Sequence, residues 1–433
     1  MRRLVLSGQI TLSRVRAELP RAAVNIDAAS NVVQSLCDEV RENGLSALVS
    51  HSERFDGVVP DSFRVTDKEL ETALAAQPQE VVAALELAIE RVRKVSRASV
   101  PKEFTVRLAD DALVQQRYQP VDSVGLYVPG GKAVYPSSVV MNVVAAQEAG
   151  VPRLAICSPA QKDFGGLPHP TILAAAKLLG VSEVYAIGGA TAVAALAFGV
   201  TEIGLEPVAM VTGPGNIYVA TAKRLLRGVI GIDSEAGPTE ILILADGSAN
   251  PKFLAADLIS QAEHDENAAA VLVSHDESLL DQVLLEVSRA LEETVNQDRV
   301  SKALAGKQSA LVLVDDLESA IQVANLYATE HLEIHTADNE AVLSKISNAG
   351  AIFLGEYSPV SLGDYLAGSN HVLPTGEQAR FGPGLGVHSF LRPQQVIRYG
   401  REGLREVNEA LDLLSKTEGL PAHGEASKVR FDN

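Results

Sequence analysis

The sequence predicts an α/β fold in which doubly wound parallel sheets are covered by helices on both faces. Short apolar runs recur along the chain, and each is followed by an alanine-rich stretch of helical character. Continuous apolar runs bounded by turn residues are typical of strands buried in a parallel sheet. The runs lie at residues 123–128, 153–158, 183–188, 240–245, 268–274, 310–315 and 350–355. The 433 residues are enough for more than one domain and a large core.

The two ends of the chain predict helices rather than strands. Thr66 and Glu69 form a capping-box pattern ahead of an apolar run, and residues 79–97 carry apolar side chains at helical spacing. A Pro-Gly-rich run at 381–387 breaks the alternation, and a mostly helical tail follows from Gln394. We expect two Rossmann-like domains with small helical extensions. The predicted parts are an N-terminal extension (1–26), a larger domain (27–125 and 236–380), a second domain (126–235) and a C-terminal helical tail (381–433).

Composition excludes several classes of function. The net charge of −18 opposes binding to nucleic acid, whose phosphates repel such a surface. No window approaches the ~20 continuous apolar residues of a membrane span, and Arg14, Arg16 and Glu18 interrupt any signal-peptide core. Cys37 and Cys157 are the two cysteines, which fits a reducing compartment. We predict a cytoplasmic protein that binds neither nucleic acid nor membrane.

Glycine-rich turns follow several predicted strands, at 128–137, 187–199 and 213–216. Doubly wound sheets bind ligands beyond the carboxyl ends of their strands, and backbone amides in such turns can accept phosphate oxygens. No GxGxxG opens a helix after a strand, so a bound dinucleotide is not held by the usual Rossmann fingerprint. The glycines can equally serve only to make tight turns.

The segment SQAEHDENA, 260–268, is a candidate metal site. Gln261 and His264 are three residues apart near the end of a predicted helix, so their side chains share one face. An imidazole and an amide oxygen can both coordinate zinc. Two ligands do not complete a site, and a single histidine can also be an ordinary hydrogen-bonded residue.

A second candidate is the adjacent pair Glu330 and His331, which offers two proton acceptors with different ordinary pKa values. Such a pair suits chemistry that needs one base for a hydroxyl and one for a water. It can also be an exposed pair at a helix end. Asp364 and His371 lie in a glycine-containing run further on, where a carboxylate often only caps a turn or a helix.

Over nearly its full length the chain resembles the histidinol dehydrogenase family. The motifs that carry the resemblance are VGLYVPGG (124–131), GGATAVAALAFG (188–199), GPGN (213–216), AGPTE (236–240), SQAEHD (260–265), EHLEI (330–334), GDYLAGSNHVLPT (363–375) and EGLPAH (418–423). Several of these motifs are long, and their order makes chance a poor explanation.

The resemblance implies a zinc- and NAD-dependent enzyme that oxidises L-histidinol to L-histidine in two steps. It places the proton-transfer roles on Glu330 and His331, and the cofactor contacts on Tyr127, Thr191 and Asn216. The implied zinc ligands are Gln261, His264, Asp364 and His423, and the implied substrate contacts are these four with Thr239, His331, His371 and Glu418. It also implies a homodimer in which the C-terminal tail, with His423, reaches the partner subunit.

The chain departs from the family pattern at Thr191, where glutamine is usual, so one cofactor contact is expected to be shorter. Three alternatives stay open: a relative that oxidises another small alcohol such as a sulfonated diol, a zinc hydrolase using Glu330, and a non-catalytic binding protein. Cys157, after a predicted strand, raises a further possibility, a covalent thiohemiacetal route to the acid.

Overall fold

The computed structural model describes residues 1–22, 26–130, 134–235 and 237–432. Part of the glycine-rich turn at 128–137 therefore lies outside the described residues. The strands are β1 (Arg2–Leu6), β2 (Phe104–Ala109), β3 (Ala112–Pro120), β4 (Val124–Tyr127), β5 (Leu154–Ser158), β6 (Glu183–Ala186), β7 (Met210–Thr212), β8 (Gly231–Ile232), β9 (Glu240–Ala245), β10 (Ala269–Ser274), β11 (Ala310–Val314), β12 (His331–His335), β13 (Ala351–Leu354) and β14 (Leu391–Tyr399).

The α-helices alternate with these strands through most of the chain. They are α1 (Leu12–Glu18), α2 (Ile26–Asn43), α3 (Leu45–His51), α4 (Asp67–Ala75), α5 (Gln79–Ala98), α6 (Pro136–Glu148), α7 (Pro170–Leu178), α8 (Gly189–Phe198), α9 (Ile217–Leu226), α10 (Pro251–Ala262), α11 (Glu277–Glu293), α12 (Gln297–Ala305), α13 (Leu317–Tyr327), α14 (Asn339–Leu343), α15 (Val360–Tyr365), α16 (Arg401–Thr417) and α17 (Pro421–Lys428). Ser52–Asp56 forms a short π-helix after α3.

A six-stranded parallel sheet forms one half of the molecule, in the order β1-β11-β10-β9-β12-β13. Successive side chains of β9 point to opposite faces: Ile241 and Ile243 pack with α10, α11 and α12, while Leu242 and Leu244 pack with α1 and α13. Helices therefore cover both faces, as the continuous apolar runs predict. β1 lies at the edge of this sheet, within the segment predicted as a helical extension.

A five-stranded parallel sheet forms the other half, in the order β6-β5-β4-β7-β8. The α4, α5, α6 and α7 side chains pack with Leu126 of β4 on one face, and those of α2, α8 and α9 pack with Tyr127 on the other. The prediction of two doubly wound sheets is confirmed, and each apolar run quoted above coincides with an observed strand. The predicted capping box at Thr66 is also present.

The helices of residues 26–98 pack on the five-stranded sheet, whereas the predicted boundaries joined 27–125 to 236–380. The periodicity of these helices shows which face is buried, but it does not show which of the two sheets that face packs on. Position along the chain does not show which sheet a helix belongs to. The chain leaves the six-stranded half after its first strand, β1, and returns to it at β9.

A third, antiparallel sheet of order β14-β3-β2 contradicts the prediction of a helical tail beginning at Gln394. In β14 the side chains are largely exposed or half-buried, and they include several arginines and glutamines. Such a strand carries no continuous apolar run, so its sequence contained no signal of a buried strand. The tail becomes helical at α16. None of the helices in the described part of the chain is long and apolar enough to cross a bilayer.

Gly213 lies where the turn after β7 approaches β4. It has φ +115°, and a Cβ built on it would lie 2.1 Å from the Tyr127 carbonyl oxygen. We predict that Gly213→Ala lowers the free energy of unfolding by about 3–5 kcal/mol, because backbone strain adds to a clash with another main chain. Urea denaturation measures this loss.

Gly228→Ala is the matched control for the clash. Gly228 has φ +107°, and among the described residues nothing lies within 4 Å of a Cβ placed there. This variant should lose only about 1–2 kcal/mol, the cost of the backbone strain. Equal losses in both variants would contradict the close approach of Gly213 to Tyr127.

Candidate active site

The proton-transfer and metal candidates meet at the amino edge of the six-stranded sheet. Thr239 precedes β9 and Glu330 precedes β12, and the two strands are neighbours in which His331 pairs with Ile241. Helix α10 runs back from the carboxyl edge and ends at Ala262, which brings Gln261 and His264 to the same edge. The candidate residues therefore lie at the edge opposite to the carboxyl ends, where doubly wound sheets usually bind ligands.

Gln261, His264 and Asp364 form the group predicted to hold a metal. The His264 Nε2 lies 3.7 Å from the Asp364 Oδ2. The Gln261 side chain is 1% exposed, and its amide N–H donates to the Thr239 hydroxyl at 2.7 Å. Its Oε1 is buried with no hydrogen-bond partner among the described residues. A buried unpaired oxygen is costly unless another group binds it, so this donor set fits a cation.

Electrostatics within this group favour the ionised forms. Burial alone would raise the pKa of Asp364, but its interactions with His264 and with the nearby histidines outweigh burial and lower that pKa. The interaction with Asp364 also raises the pKa of His264, against the opposing effect of burial. An ionised carboxylate at this position suits a divalent cation.

Glu330 is a buried carboxylate held in one orientation. Ala328, with φ +50°, turns the chain from α13 toward β12. The Glu330 Oε2 accepts hydrogen bonds from the Thr239 hydroxyl at 2.6 Å and from the Glu240 N–H at 3.0 Å. Burial raises its pKa to about 7, despite these two bonds. Glu330 can therefore take up or release a proton near neutral pH.

His331 starts the buried strand β12 and is 4% exposed, so the alternative of an exposed helix-end pair is wrong. Its Nδ1 lies 3.2 Å from the Glu240 carbonyl oxygen. Because a carbonyl only accepts, Nδ1 carries the proton and Nε2 is left as a proton acceptor. Burial lowers the pKa of His331, which keeps the ring neutral.

His371 connects this edge to the five-stranded half. Its Nδ1 donates to the Asp364 carbonyl oxygen at 3.0 Å, so its Nε2 accepts from the Ser138 hydroxyl at 3.1 Å. Ser138 lies in the first turn of α6, which follows the glycine-rich turn after β4. Burial lowers the pKa of His371. A neutral imidazole thus bridges the two halves beside Asp364.

The predicted cofactor residues lie at the carboxyl edge of the five-stranded sheet. Tyr127 ends β4, and its buried hydroxyl accepts from the Gly189 N–H at 3.2 Å. Burial raises the pKa of Tyr127 to about 12, so the hydroxyl stays protonated. Asn216 caps α9 through its Oδ1, which accepts from the Tyr218 and Val219 N–H groups. The amide nitrogen of Asn216 takes no part in this cap.

Glu418 and His423 lie apart from the other predicted residues. Both side chains are exposed, at the end of α16 and in α17. No described residue of the metal or proton-transfer group contacts either of them within this chain. The single chain therefore assembles six of the predicted residues at one edge, Thr239, Gln261, His264, Glu330, His331 and Asp364, joined by His371.

Comparison with known proteins identifies the family. The family model described as histidinol dehydrogenase matches residues 19–431. A histidinol dehydrogenase of Leifsonia xyli is 58% identical over 96% of this chain and 95% of its own length, and one from Thermobifida fusca is 57% identical over 96% and 94%. The crystal structure of histidinol dehydrogenase from Elizabethkingia anophelis superposes with a TM-score of 0.94 at 31% identity, covering 99% of this chain and 98% of that one.

The chain belongs to the histidinol dehydrogenase family.

Thr191 is the position at which the sequence departs from the family pattern. Its side chain has a hydrogen-bond partner that the sequence did not indicate. Its buried hydroxyl lies 2.9 Å from the His51 Nδ1, and the His51 Nε2 lies 2.9 Å from the Glu39 Oε2. Thr191 is in the first turn of α8, next to the Gly189 N–H that contacts Tyr127. The hydroxyl that replaces the usual glutamine is thus fixed by a histidine 140 residues away.

Two other buried residues, Cys157 and Glu240, differ in what the structure shows of them. Cys157 is fully buried in β5, and burial raises its pKa, so it is unsuited to act as a thiolate nucleophile. Glu240, in the AGPTE motif, is 2% exposed and pairs with Arg21, while the Gly376 N–H donates to it at 2.7 Å. In this motif only Thr239 has a role predicted from the sequence, so the pairing of Glu240 with Arg21 is shown by the structure alone.

The raised pKa of Glu330 makes a prediction for the metal-free protein. The folded-state pKa of about 7 lies above the ordinary 4.5, so between these values the folded protein binds more protons than the unfolded chain. Stability must then fall as pH rises through this window. We predict that Glu330→Gln gains on the order of 2 kcal/mol relative to wild type between about pH 4.5 and 7.5, measured by urea denaturation.

Asp246→Asn is the control, because the pKa of Asp246 is shifted in the direction opposite to that of Glu330. Burial would raise the pKa of Asp246, but hydrogen bonds from Ser248 and Ala337 lower it below the ordinary 3.8. The ionised form is already present above this value, so the effect of this substitution should be constant between about pH 5 and 8. A Glu330→Gln effect that is equally constant would contradict the buried, proton-binding state of Glu330.

Proposed function

We propose that this protein oxidises L-histidinol to L-histidine through L-histidinaldehyde, with reduction of two NAD, as the last step of histidine biosynthesis. The observation that carries the proposal is the buried pair Glu330 and His331 beside Gln261, His264 and Asp364 at one sheet edge. Membership of the histidinol dehydrogenase family supports the substrate and the nicotinamide cofactor.

We infer that one zinc ion per subunit is held by Gln261, His264, Asp364 and His423 of the partner subunit. The unpaired Gln261 oxygen and the His264–Asp364 pair support three of these ligands. Bound zinc supplies a positive charge that holds the imidazole and amine of the substrate in a fixed orientation. We place the other substrate contacts on Thr239, His331, His371 and Glu418.

His331 is the base of the first oxidation. Its unprotonated Nε2 accepts the proton of the substrate hydroxyl while the carbon gives up a hydride to the nicotinamide. The lowered pKa keeps His331 neutral and ready to accept, and the Nδ1 bond to the Glu240 carbonyl fixes the tautomer. The product of this step is the aldehyde.

Glu330 serves the second oxidation, in which the aldehyde must first take up water. Its carboxylate removes a proton from that water as the oxygen adds to the carbonyl carbon, while the proton that His331 took in the first step passes to the carbonyl oxygen. The neutral His331 then accepts a hydroxyl proton of the hydrate as the second hydride leaves. A pKa of about 7 gives Glu330 a large ionised fraction at neutral pH. Thr239 and the Glu240 N–H both bind Oε2, which leaves the second carboxylate oxygen of Glu330 for the water.

We place the NAD at the carboxyl edge of the five-stranded sheet, with contacts from Tyr127, Thr191 and Asn216. The first turns of α8 and α9 lie there, and the positive end of a helix dipole attracts phosphate. The His371–Ser138 hydrogen bond joins this edge to the edge that carries Asp364, so a cofactor bound at one can reach a substrate at the other.

We propose a homodimer in which the C-terminal tail completes the active site of the partner. Glu418 and His423 are exposed, and neither joins the candidate metal and substrate residues of its own chain. The α16 helix buries only Gly403 and Ser415, while Leu413 and Leu414 are 67% and 61% exposed. Large exposed apolar side chains next to two expected site residues support a surface that a second copy covers.

The experiment that tests the reaction measures NADH formed per L-histidinol consumed, with the product identified and zinc chelated or restored. We predict two NADH per histidine, loss of turnover on chelation and recovery with zinc. His264→Ala should bind zinc at least tenfold more weakly and lose nearly all turnover while keeping its fold by circular dichroism. No NADH from histidinol, but NADH from another small alcohol such as a sulfonated diol, would replace the substrate assignment.

Mixed dimers test the shared site. His264→Ala and His423→Ala proteins should each be inactive, but a dimer of one with the other contains one intact site. After unfolding and refolding together, we predict recovery of about one quarter of wild-type activity, since about half of the dimers are mixed and each has one working site.

A mixture of His264→Ala with Asp364→Ala is the matched control, because both residues come from the same subunit of each site. In these mixed dimers each site lacks one ligand, so activity should stay absent. Recovery in the control would show that His264 and Asp364 of one site come from different subunits. No recovery in the His264→Ala and His423→Ala mixture would show that His423 acts within its own chain or not at all.

A further inference from the structure

A buried polar cluster lies beneath the candidate active site and is not used by the chemistry proposed above. It consists of Asp257, Glu333 and His335, whose carboxylate oxygens and ring nitrogen lie within 4.8 Å of one another. Glu333 is completely buried, and the other two are at most 9% exposed. The His335 Nε2 lies 3.3 Å from one Glu333 oxygen, and the Val360 N–H donates to the other at 2.9 Å.

The cluster joins the three elements that carry the metal and base candidates. Asp257 lies one turn before Gln261 in α10, and Glu333 is in β12, two residues after His331. Val360 is the first residue of α15, which carries Asp364. Contacts through Glu333 therefore connect the positions of Gln261, His331 and Asp364, although none of the cluster side chains reaches the metal group.

Two buried carboxyl groups in contact need a proton or a cation between them. Burial and, after it, the neighbouring Glu333 raise the pKa of Asp257 to about 8. The polar atoms of the cluster lie within 4.8 Å of one another, so a protonated Asp257 is close enough to share its proton with Glu333. Glu333, as the acceptor, remains available to the Val360 N–H, which has no partner within its own helix.

Helix α15 is also held by the His371 bond to the Asp364 carbonyl and by the buried side chain of Val360, but its first turn is fixed to β12 through Glu333. It is six residues long, and Leu362 and Tyr365 are 37% and 57% exposed. Gly363 packs directly on β13, where an added Cβ would lie 2.6 Å from the Phe353 ring. Phe353 limits how closely the helix approaches the sheet, while the Glu333 bond fixes where the helix begins.

We propose that Asp257 and Glu333 form a hydrogen-bonded clamp that positions the metal ligands by tying α10, β12 and α15 together. Both are positioning residues, since neither contacts substrate, cofactor or metal. The inference rests on the zinc site of the proposed function. Supporting groups of this kind typically change metal affinity by about 10–100-fold when they are removed.

The test measures the zinc dissociation constant of the metal-free dimer by competition with a fluorescent chelator, together with thermal unfolding. Asp257→Ala should bind zinc about tenfold or more weakly, because Glu333 loses its donor. Asp257→Asn, whose amide can still donate to Glu333, should stay within about threefold of wild type. This rescue separates a hydrogen-bonded clamp from a requirement for a second negative charge.

Val360→Pro removes the hydrogen bond from the Val360 N–H to Glu333 and leaves both carboxyl groups in place. This variant replaces Asp257→Ala in the test if Asp257→Ala does not fold. Proline is favoured at the first position of a helix, and Pro359 has the extended conformation required before a proline. The substitution deletes the N–H that Glu333 accepts, so zinc should bind about tenfold more weakly.

Ser309→Ala is the matched control for lost stability. Ser309 is fully buried in the same half and accepts from the Ala270 N–H, but it touches none of the three linked elements. It should lower the unfolding temperature and leave zinc affinity unchanged. Wild-type zinc affinity in folded Asp257→Ala and Val360→Pro, or equal losses in Asp257→Asn and Asp257→Ala, would overturn the clamp.

Metal content distinguishes the remaining outcomes. A second equivalent of zinc that disappears in Asp257→Ala would overturn the clamp by showing that the cluster is itself a metal site. Wild-type protein that binds no zinc would overturn the proposed zinc site and the clamp together. Normal wild-type binding with unaffected variants would overturn the clamp alone.

Discussion

The parallel pairing of β9 with β12 is the constraint on which the rest of the site depends. With His331 paired to Ile241, the main chain of Glu240 contacts both neighbours: its N–H donates to the Glu330 carboxylate and its carbonyl accepts from the His331 ring. The side chains of Glu330 and His331 are therefore both oriented by the backbone of the sheet. A shift of register by one residue would turn both side chains to the opposite face.

Electrostatics explain why two buried glutamates so close together can have different tasks. The pKa of Glu240 is also raised to about 7 by burial, but Arg21 pairs with it and stacks on the Tyr327 ring at 4.0 Å. Glu330 has hydrogen-bond donors and no paired cation of this kind in the described chain. The arginine thus compensates the structural carboxylate and leaves the other free to exchange a proton.

The sequence predicted most of the fold wherever burial produced continuous apolar runs, as in β5, β9 and β10. It failed for β12, where His331, Glu333 and His335 alternate with apolar residues although all are buried, and for β14, whose exposed polar face carries no such run. The site residues came from motifs, and the structure brings most of them together. His51, Arg21 and Asp257 escaped because their roles arise from contacts between distant segments, which no local pattern encodes.

The opposite edges of the two sheets offer different electrostatic environments, and this suits them to different ligands. Helices α10 and α13 end at the amino edge of the six-stranded sheet, next to His264 and Glu330, so their carbonyl ends favour a cation and oppose phosphate. Helices α8 and α9 start at the carboxyl edge of the other sheet, where their N–H groups favour the phosphates of a dinucleotide. Two carboxyl edges facing each other would present two phosphate-binding ends and none suited to a cation. An amino edge and a carboxyl edge thus give the proposed metal and nucleotide sites helix ends of opposite charge.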